Sequence, residues 1–446
     1  MRFRISLAVL IPLSVHAFDY KISGRVGSFS RLGFNHSQIN SKKGIYPTGS
    51  YVTTMGALQI DLNLLPKSSM HKLGAGLGGQ LGGLVFDSTA TRIDQSNPNA
   101  GFLPTGWYYV GRWQGYLMGA PWHASLYGNS VHARAYVLYN AYLAYAYKDI
   151  ALCQIGRYPS RALFLNGYNQ GFTCFVQRGA WRLEWFSSYG RARANLQYIR
   201  DFYAPLQYDF ANGRRTNYGL HALSLFWRKK SWDLQAFFWF YPKNFIAPGG
   251  QITYDTQRNL DSWRIQNHFY LWFPLYSHAL AHTYWRSSSM GRFSASLLWQ
   301  QNFLISNYHF GWSLYKNFGN ANARIARFGT PINYDTKDNT PYEGRLDNLY
   351  NSNAITIAAR GGGTYKKFSW EILGRLTYSP RADAQSLGLT CFYDVSARVR
   401  AMFRVNYYEA SMHRGYKVGY FGAPNLDFAP TTQDRSYVMT SISYKM

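Results

Sequence analysis

The last eleven residues, Ser436–Met446 (SYVMTSISYKM), constrain the fold more than any other stretch. Counting back in twos, Met446, Tyr444, Ile442, Thr440 and Val438 form an apolar or weakly polar set. Lys445, Ser443, Ser441 and Met439 hold the other parity. A period of two belongs to a strand, whose successive side chains point to opposite faces. With one face for lipid and one for a polar interior, such a strand suits the closure of a transmembrane β-barrel. An exposed edge strand of a soluble protein is the competing reading.

The N-terminal residues agree. Residues 1–17 read MRFRISLAVLIPLSVHA. Arg2 and Arg4 precede a short apolar run, and Val15-His16-Ala17 has the spacing of a cleavage site. The apolar run is too short to cross a bilayer, which takes about 20 residues. The expectation is a cleaved signal peptide over 1–17, export, and a single domain over 18–446. No later window offers a transmembrane helix.

Composition narrows the partners. Aromatic residues make up 18% of the chain, which suits girdles at both membrane interfaces. The net charge of +26 would ordinarily suggest nucleic acid. An exported chain has little occasion to meet it, and the charge is spread along the whole length. Outer membrane lipid and lipopolysaccharide, together with small solutes in a basic lumen, are the expected partners; nucleic acid is not.

Alternating runs recur throughout: Val137–Tyr147, Leu223–Trp227, Trp232–Phe240, Ile265–Leu275, Phe293–Trp299, Trp370–Tyr378 and Leu387–Tyr393. Short turns such as Lys148-Asp149 and Arg228–Ser231 are interspersed with long loops such as Asp87–Gly106, Asn320–Asn353 and Glu409–Arg435. That is the pattern of short periplasmic turns and long external loops. At about 24 residues per strand and loop, the chain makes roughly 18 strands, with 16 as the alternative. The expected fold is all-β, a transmembrane antiparallel β-barrel.

The arginines carry the functional signal. Arg398, Arg400 and Arg404 alternate with Ala397, Val399, Ala401, Phe403 and Val405. An arginine facing lipid at mid-membrane costs about 2–4 kcal/mol, so these are expected to face the lumen. Arg375, Arg182, Arg191 and Arg193 alternate in the same manner. Together they suggest a cationic track that attracts anions and carboxylates. The structural alternative is that they pair with lumen acids such as Glu184 and Glu371. With 47 basic residues against 21 acidic ones, pairing cannot neutralise them all.

The segment Cys153–Gln177 (CQIGRYPSRALFLNGYNQGFTCFVQ) suits a loop folded into the lumen, with Arg157, Tyr158, Arg161 and Tyr168 as constriction candidates. An ordinary external loop is the other reading. Three cysteines give an odd count without metal-type spacing. Cys153 and Cys174 are candidates for a bridge that spacing leaves open, and Cys391 reads as a packed or lipid-facing residue.

The GRY…GYNQGF segment, the basic Tyr-rich composition, the Phe18-Asp19-Tyr20 start and the terminal Tyr-Lys-Met strand together resemble the Helicobacter outer membrane protein (Hof) family. More loosely, the chain is similar to OprD-like porins. The resemblance implies a large outer membrane barrel, solute uptake, and an arginine ladder beside acidic loop residues. The ladder is matched in kind by Arg375, Arg398, Arg400 and Arg404. Asp335, Asp338 and Glu343 are the acidic candidates.

No H-E-x-x-H or G-x-S-x-G motif is present, so neither an enzyme, a metal nor a cofactor is expected. The expected function is a porin-like channel for passive diffusion of small hydrophilic solutes, with an anion- or carboxylate-preferring lumen. The rival is a non-conducting surface protein or adhesin whose long loops bind host surface ligands. The oligomeric state is open, a homo-oligomer included.

Overall fold

The computed structural model describes residues 19–88, 93–97, 136–163, 165, 167–197, 199–203, 207–208, 215–216, 218–243, 245–256, 263–276, 292–319, 349, 351–418 and 423–446. The first seven strands are β1 (Asp19–Gly33), β2 (Tyr51–Asn63), β3 (His71–Asp87), β4 (Tyr136–Tyr147), β5 (Ala151–Pro159), β6 (Tyr168–Arg178) and β7 (Trp181–Ala194). Three short strands follow: β8 (Ile199–Tyr203), β9 (Gln207–Tyr208) and β10 (Arg215–Thr216). Then come β11 (Leu220–Lys229), β12 (Trp232–Tyr241), β13 (Phe245–Asp255), β14 (Trp263–Trp272), β15 (Leu275–Tyr276), β16 (Ser294–Ile305) and β17 (Tyr308–Gly319). The last are β18 (Ile355–Tyr365), β19 (Phe368–Tyr378), β20 (Ala382–Asp394), β21 (Val399–Met412), β22 (Thr431–Asp434) and β23 (Tyr437–Lys445).

Eighteen of these, all but β8, β9, β10, β15 and β22, form one antiparallel ring. The ring closes where β1 pairs with β23, from Arg25 opposite Lys445 to Gly33 opposite Tyr437. The terminal strand therefore does what its alternation predicts. Closure leaves no edge with unpaired backbone groups, which a membrane would penalise.

Parity sorts the two faces. On β1 and β2 the residues Ile22, Val26, Leu58, Ile60 and Leu62 are exposed on the outer surface, where lipid would lie. The opposite parity, Phe29, Arg31, Tyr51, Thr53 and Met55, is buried inside. The same holds at the end of the chain, with Ile442 and Tyr444 outside and Tyr437 and Met439 inside. The short turns at 148–150, 179–180, 230–231, 306–307 and 366–367 all lie at one end, the periplasmic end by their length.

Cys153 and Cys174 stand directly opposite on β5 and β6 and are joined as a disulfide. Cys391 is a free, half-buried residue on β20.

Candidate functional site: the barrel interior

A line of irregularities runs across β4 to β7. The β3–β4 register shifts at Gly78/Gly79, Gly156 sits at φ +106° opposite Gly171, and the β6–β7 register shifts at Gln170/Gly171. Bulges bend strands. Neither glycine has room for a Cβ, which would meet the Ala141 carbonyl at Gly156 and the Ser187 carbonyl at Gly171. Beyond this line the wall turns inward.

The β7–β8 hairpin extends furthest. Its tip reaches the inner faces of β1, β2 and β3, at least four strands away around the ring. Thr53 Oγ1 donates to the Leu196 carbonyl at 2.6 Å, and Gln80 Nε2 donates to the Asn195 carbonyl at 2.8 Å. Leu196 packs beside Phe29, Tyr51 and Met439 on one side and Met55 and Val137 on the other. Thr53, Met55 and Gln80 all have inward parity, so the hairpin lies within the lumen and narrows it.

The loop singled out from sequence forms the root of this inward flap. Arg157 donates from Nε to Gln170 Oε1 at 3.1 Å and lies 4.4 Å from the centre of the Phe202 ring. Tyr158 is buried, sharing its hydroxyl with Thr173 Oγ1 and accepting from Asn169 Nδ2, both at 2.8 Å. Tyr168 packs on Tyr139 with ring centres 4.7 Å apart. Arg161 is exposed in the 160–167 connection, which Ser160 N–H closes onto the Gly167 carbonyl at 2.8 Å. The crossing element is thus the next hairpin along the chain, and its tip at Asn195 and Leu196 carries no charge or motif that would single it out.

The predicted arginines divide into four groups. Arg375 on β19 and Arg404 on β21 are inward and 5% and 8% exposed. The Arg375 guanidinium lies 5.4 Å from the Tyr408 ring centre. Arg191 and Arg193 sit on the flap itself, Arg191 buried and Arg193 half-buried. Arg182 is ion-paired to Glu184 and lies 3.7 Å from the Phe175 ring centre, the pairing that the structural alternative anticipated. Glu371 instead meets His309 at 3.5 Å.

Arg398 corrects the expectation of a three-arginine track on one strand, while Arg400 keeps the inward phase of Arg404 at the start of β21. Strand β21 begins only at Val399, because Ser396 Oγ accepts from the Arg398 and Val399 N–H groups and ends the turn there. Arg398 is exposed in that turn, and Arg400 is exposed and paired with Asp394 at 2.6 Å at the periplasmic rim. The acidic candidates Asp335, Asp338 and Glu343 lie outside the described residues, as does the segment 1–17.

Three interior arginines add to the set. Arg31, 5% exposed, lies 4.1 Å from the Tyr437 ring centre. Arg404, Met439 and Arg31 are directly opposite one another across β21, β23 and β1. Arg435, fully buried, donates to the Pro47 carbonyl at 3.3 Å. Arg360 donates to Asn302 Oδ1 at 2.7 Å. Arg31 was legible as an odd-parity partner of Phe29; Arg435 precedes its strand and offers no alternation to read.

The other side of the lumen is different. From β12 to β17 part of the inward parity is aromatic: Phe237, Trp239, Tyr270, Trp272 and Tyr315 form one buried cluster, while Asp255, Arg264, His268 and Asn302 of the same parity make a polar stretch nearer the short turns. Leu165 of the β5–β6 connection and Leu349 join it from the loops.

Several solved structures share this architecture. OccAB1 of Acinetobacter baumannii matches with a TM-score of 0.62 at 11% identity, covering 97% of this chain and 99% of its own. Pseudomonas aeruginosa OpdK, crystallised with vanillate, matches at 0.59 and 11% identity, covering 96% and 98%. A structure of OccD1 (OprD) matches at 0.56 and 8% identity, covering 96% and 95%. At these identities the likeness is one of fold, and it agrees with the OprD-like resemblance. No curated protein sequence matches the chain. The family model described as "Putative outer membrane protein" matches residues 5–446, essentially the whole barrel, and the chain belongs to that family of outer membrane proteins.

Proposed function

We propose that this protein is an outer membrane channel for passive diffusion of small hydrophilic solutes, with a preference for anions and carboxylates. The observation that carries the reading is the row Arg404–Met439–Arg31, with Arg375 two strands away on β19 at the level of Tyr408, all inward and buried on one side of the lumen. A guanidinium offers a planar pair of donors that matches a carboxylate, and rings of basic side chains favour anions in narrow pores. The inward flap supports it, because a narrowed lumen brings a solute within reach of the wall. The solved neighbour crystallised with vanillate, a carboxylate, is consistent with that chemistry.

Arg31, Arg375, Arg404 and the flap residues Arg191 and Arg193 are the proposed pore-lining set. Arg157, Tyr158 and Tyr168 hold the root of the flap. Arg182 and Arg264, which are paired with Glu184 and Asp255, stiffen the wall. No enzymatic step is needed.

The test is single-channel recording of the refolded protein in a planar bilayer under a KCl gradient. Steady conductance with a reversal potential on the chloride side is expected. A folded barrel that never conducts would overturn the channel reading and favour the surface protein.

A further inference from the structure

Among the described residues, the exposed positive charge outside the lumen gathers at the periplasmic rim. Lys148, Lys230 and Lys366 occupy short turns at φ of 48°, 50° and 52°. Hairpin turns ordinarily fill such left-handed positions with glycine, asparagine or aspartate, because a Cβ is disfavoured there. Lysine at three equivalent turns tolerates that disadvantage and delivers its charge to one plane. Arg178, Lys229, Lys367 and Lys445 are exposed at the same level. Among the described residues the acids there are Asp19, Asp149, Asp233, Asp255 and Asp394. Four of them are already matched: Asp19 by Lys67 at 2.9 Å, Asp233 by Arg228 and Asp394 by Arg400 at 2.6 Å each, and Asp255 by Arg264.

These basic residues adjoin an outward aromatic girdle. Trp181 and Trp232 lie within three residues of Arg178 and Lys229 and are exposed on the outer face. Tyr365 and Phe368 flank Lys366 and Lys367. The Lys366 ammonium lies 5.3 Å from the Tyr365 ring centre, and the Lys148 ammonium 5.6 Å from that of Tyr147. Outward Trp and Tyr mark the headgroup level of a bilayer. Cations one or two residues beyond them lie in the plane of the lipid phosphates.

We propose that this rim is a binding belt for anionic phospholipid headgroups of the periplasmic leaflet. Surface lysines near an anionic leaflet attract it additively and within a Debye length, so the belt gathers acidic lipid around the barrel. The lipid's phosphodiester supplies the complementary charge, and its acyl chains meet the apolar outer face just above.

The experiment reconstitutes the full barrel in phosphatidylcholine vesicles containing either brominated phosphatidylglycerol or brominated phosphatidylcholine. Quenching of tryptophan fluorescence reports relative association, because Trp181 and Trp232 face outward at the belt. The wild type is expected to favour phosphatidylglycerol by about fivefold, the factor that corresponds to one surface lysine near an anionic leaflet. The variant Lys229→Gln/Lys230→Gln/Lys366→Gln/Lys367→Gln should lose most of that preference, while the matching Lys→Arg variant keeps it. If the Gln variant does not fold, the same preference measured on the wild type in 1 M salt decides, and it should vanish. A preference that survives both the variant and salt would overturn the belt. So would a wild type indifferent to headgroup charge, including one that instead sediments with peptidoglycan through these lysines.

Discussion

Between β19 and β1 the inner wall carries Arg375, Arg404 and Arg31; between β12 and β17 the same parity carries Trp239, Trp272 and Tyr315. Both walls follow one rule of alternation, and both bury their inward side chains. The difference is in what the buried group still offers. An aromatic ring inside the barrel is satisfied by packing, and here it anchors Leu165 and Leu349 from the loops. A guanidinium keeps its charge when buried and is held by rings and carbonyls, as Arg31 is by Tyr437 and Arg435 by the Pro47 carbonyl. One wall is therefore packed by rings over part of its length, and the other carries buried guanidinium groups. The flap, with its tip on β1 to β3, lands beside the arginine-bearing one.

That division can be broken most directly at the ring-packed wall. Trp239→Ala removes a fully buried ring from the aromatic cluster and should cost about 3–5 kcal/mol of stability. Urea unfolding in lipid vesicles would measure it, with ion selectivity unchanged in the folded fraction. A small loss of stability accompanied by altered selectivity would mean the walls are not distinct in role.

The next effect falls on the bend that directs the flap. Gly171→Val forces a side chain into the Ser187 carbonyl and should cost about 1–3 kcal/mol, as overpacking does. The expected signature is a larger and noisier conductance, because the β6–β7 pair can no longer bend inward. Unchanged conductance with normal stability would show that the bend does not depend on the glycine.

A smaller effect sharpens the docking of the tip. Thr53→Val removes the hydroxyl that donates to the Leu196 carbonyl and should cost about 1 kcal/mol. Faster protease cleavage at the hairpin tip, measured on reconstituted protein, is the readout. Equal cleavage rates would mean that Leu196 is held by packing alone.

The smallest effect lies outside both walls. Burial works to raise the Asp94 carboxyl, but hydrogen bonds from Ser41 and Ser96 hold it below the usual carboxylate range. A carboxylate depressed in this way stabilises the loop contact above its unfolded pKa and loses that contribution as pH falls through the lowered value. Proteolysis of the 34–50 loop should therefore accelerate only in strong acid, and Asp94→Asn should flatten the profile.

The barrel itself was legible because every spanning strand repeats one signal, and Ser436–Met446 showed it with no loop to confuse the count. Arg375 and Arg404 were legible for the same reason: a charge in phase with Leu373 or Asn406, and out of phase with Leu376 or Phe403, has one face to go to. Arg398 was misjudged because alternation continues by chance into a turn that Ser396 closes. The flap tip was not legible at all. Asn195 and Leu196 are ordinary residues, and what places them is a pair of register shifts, in β3–β4 and β6–β7, with Gly156 between them. Register shifts depend on how neighbours pair, so no single strand's pattern contains them.

The central claim, that the arginine wall sets selectivity, is tested most directly by comparing reversal potentials of the wild type and Arg375→Gln/Arg404→Gln in the same KCl gradient. Heat-modifiable gel mobility would confirm that both are folded. The account predicts a wild-type potential displaced towards chloride, and a shift of the variant towards zero or towards potassium. Identical potentials in two folded, conducting proteins would contradict it and leave these arginines as parts of the wall's packing alone.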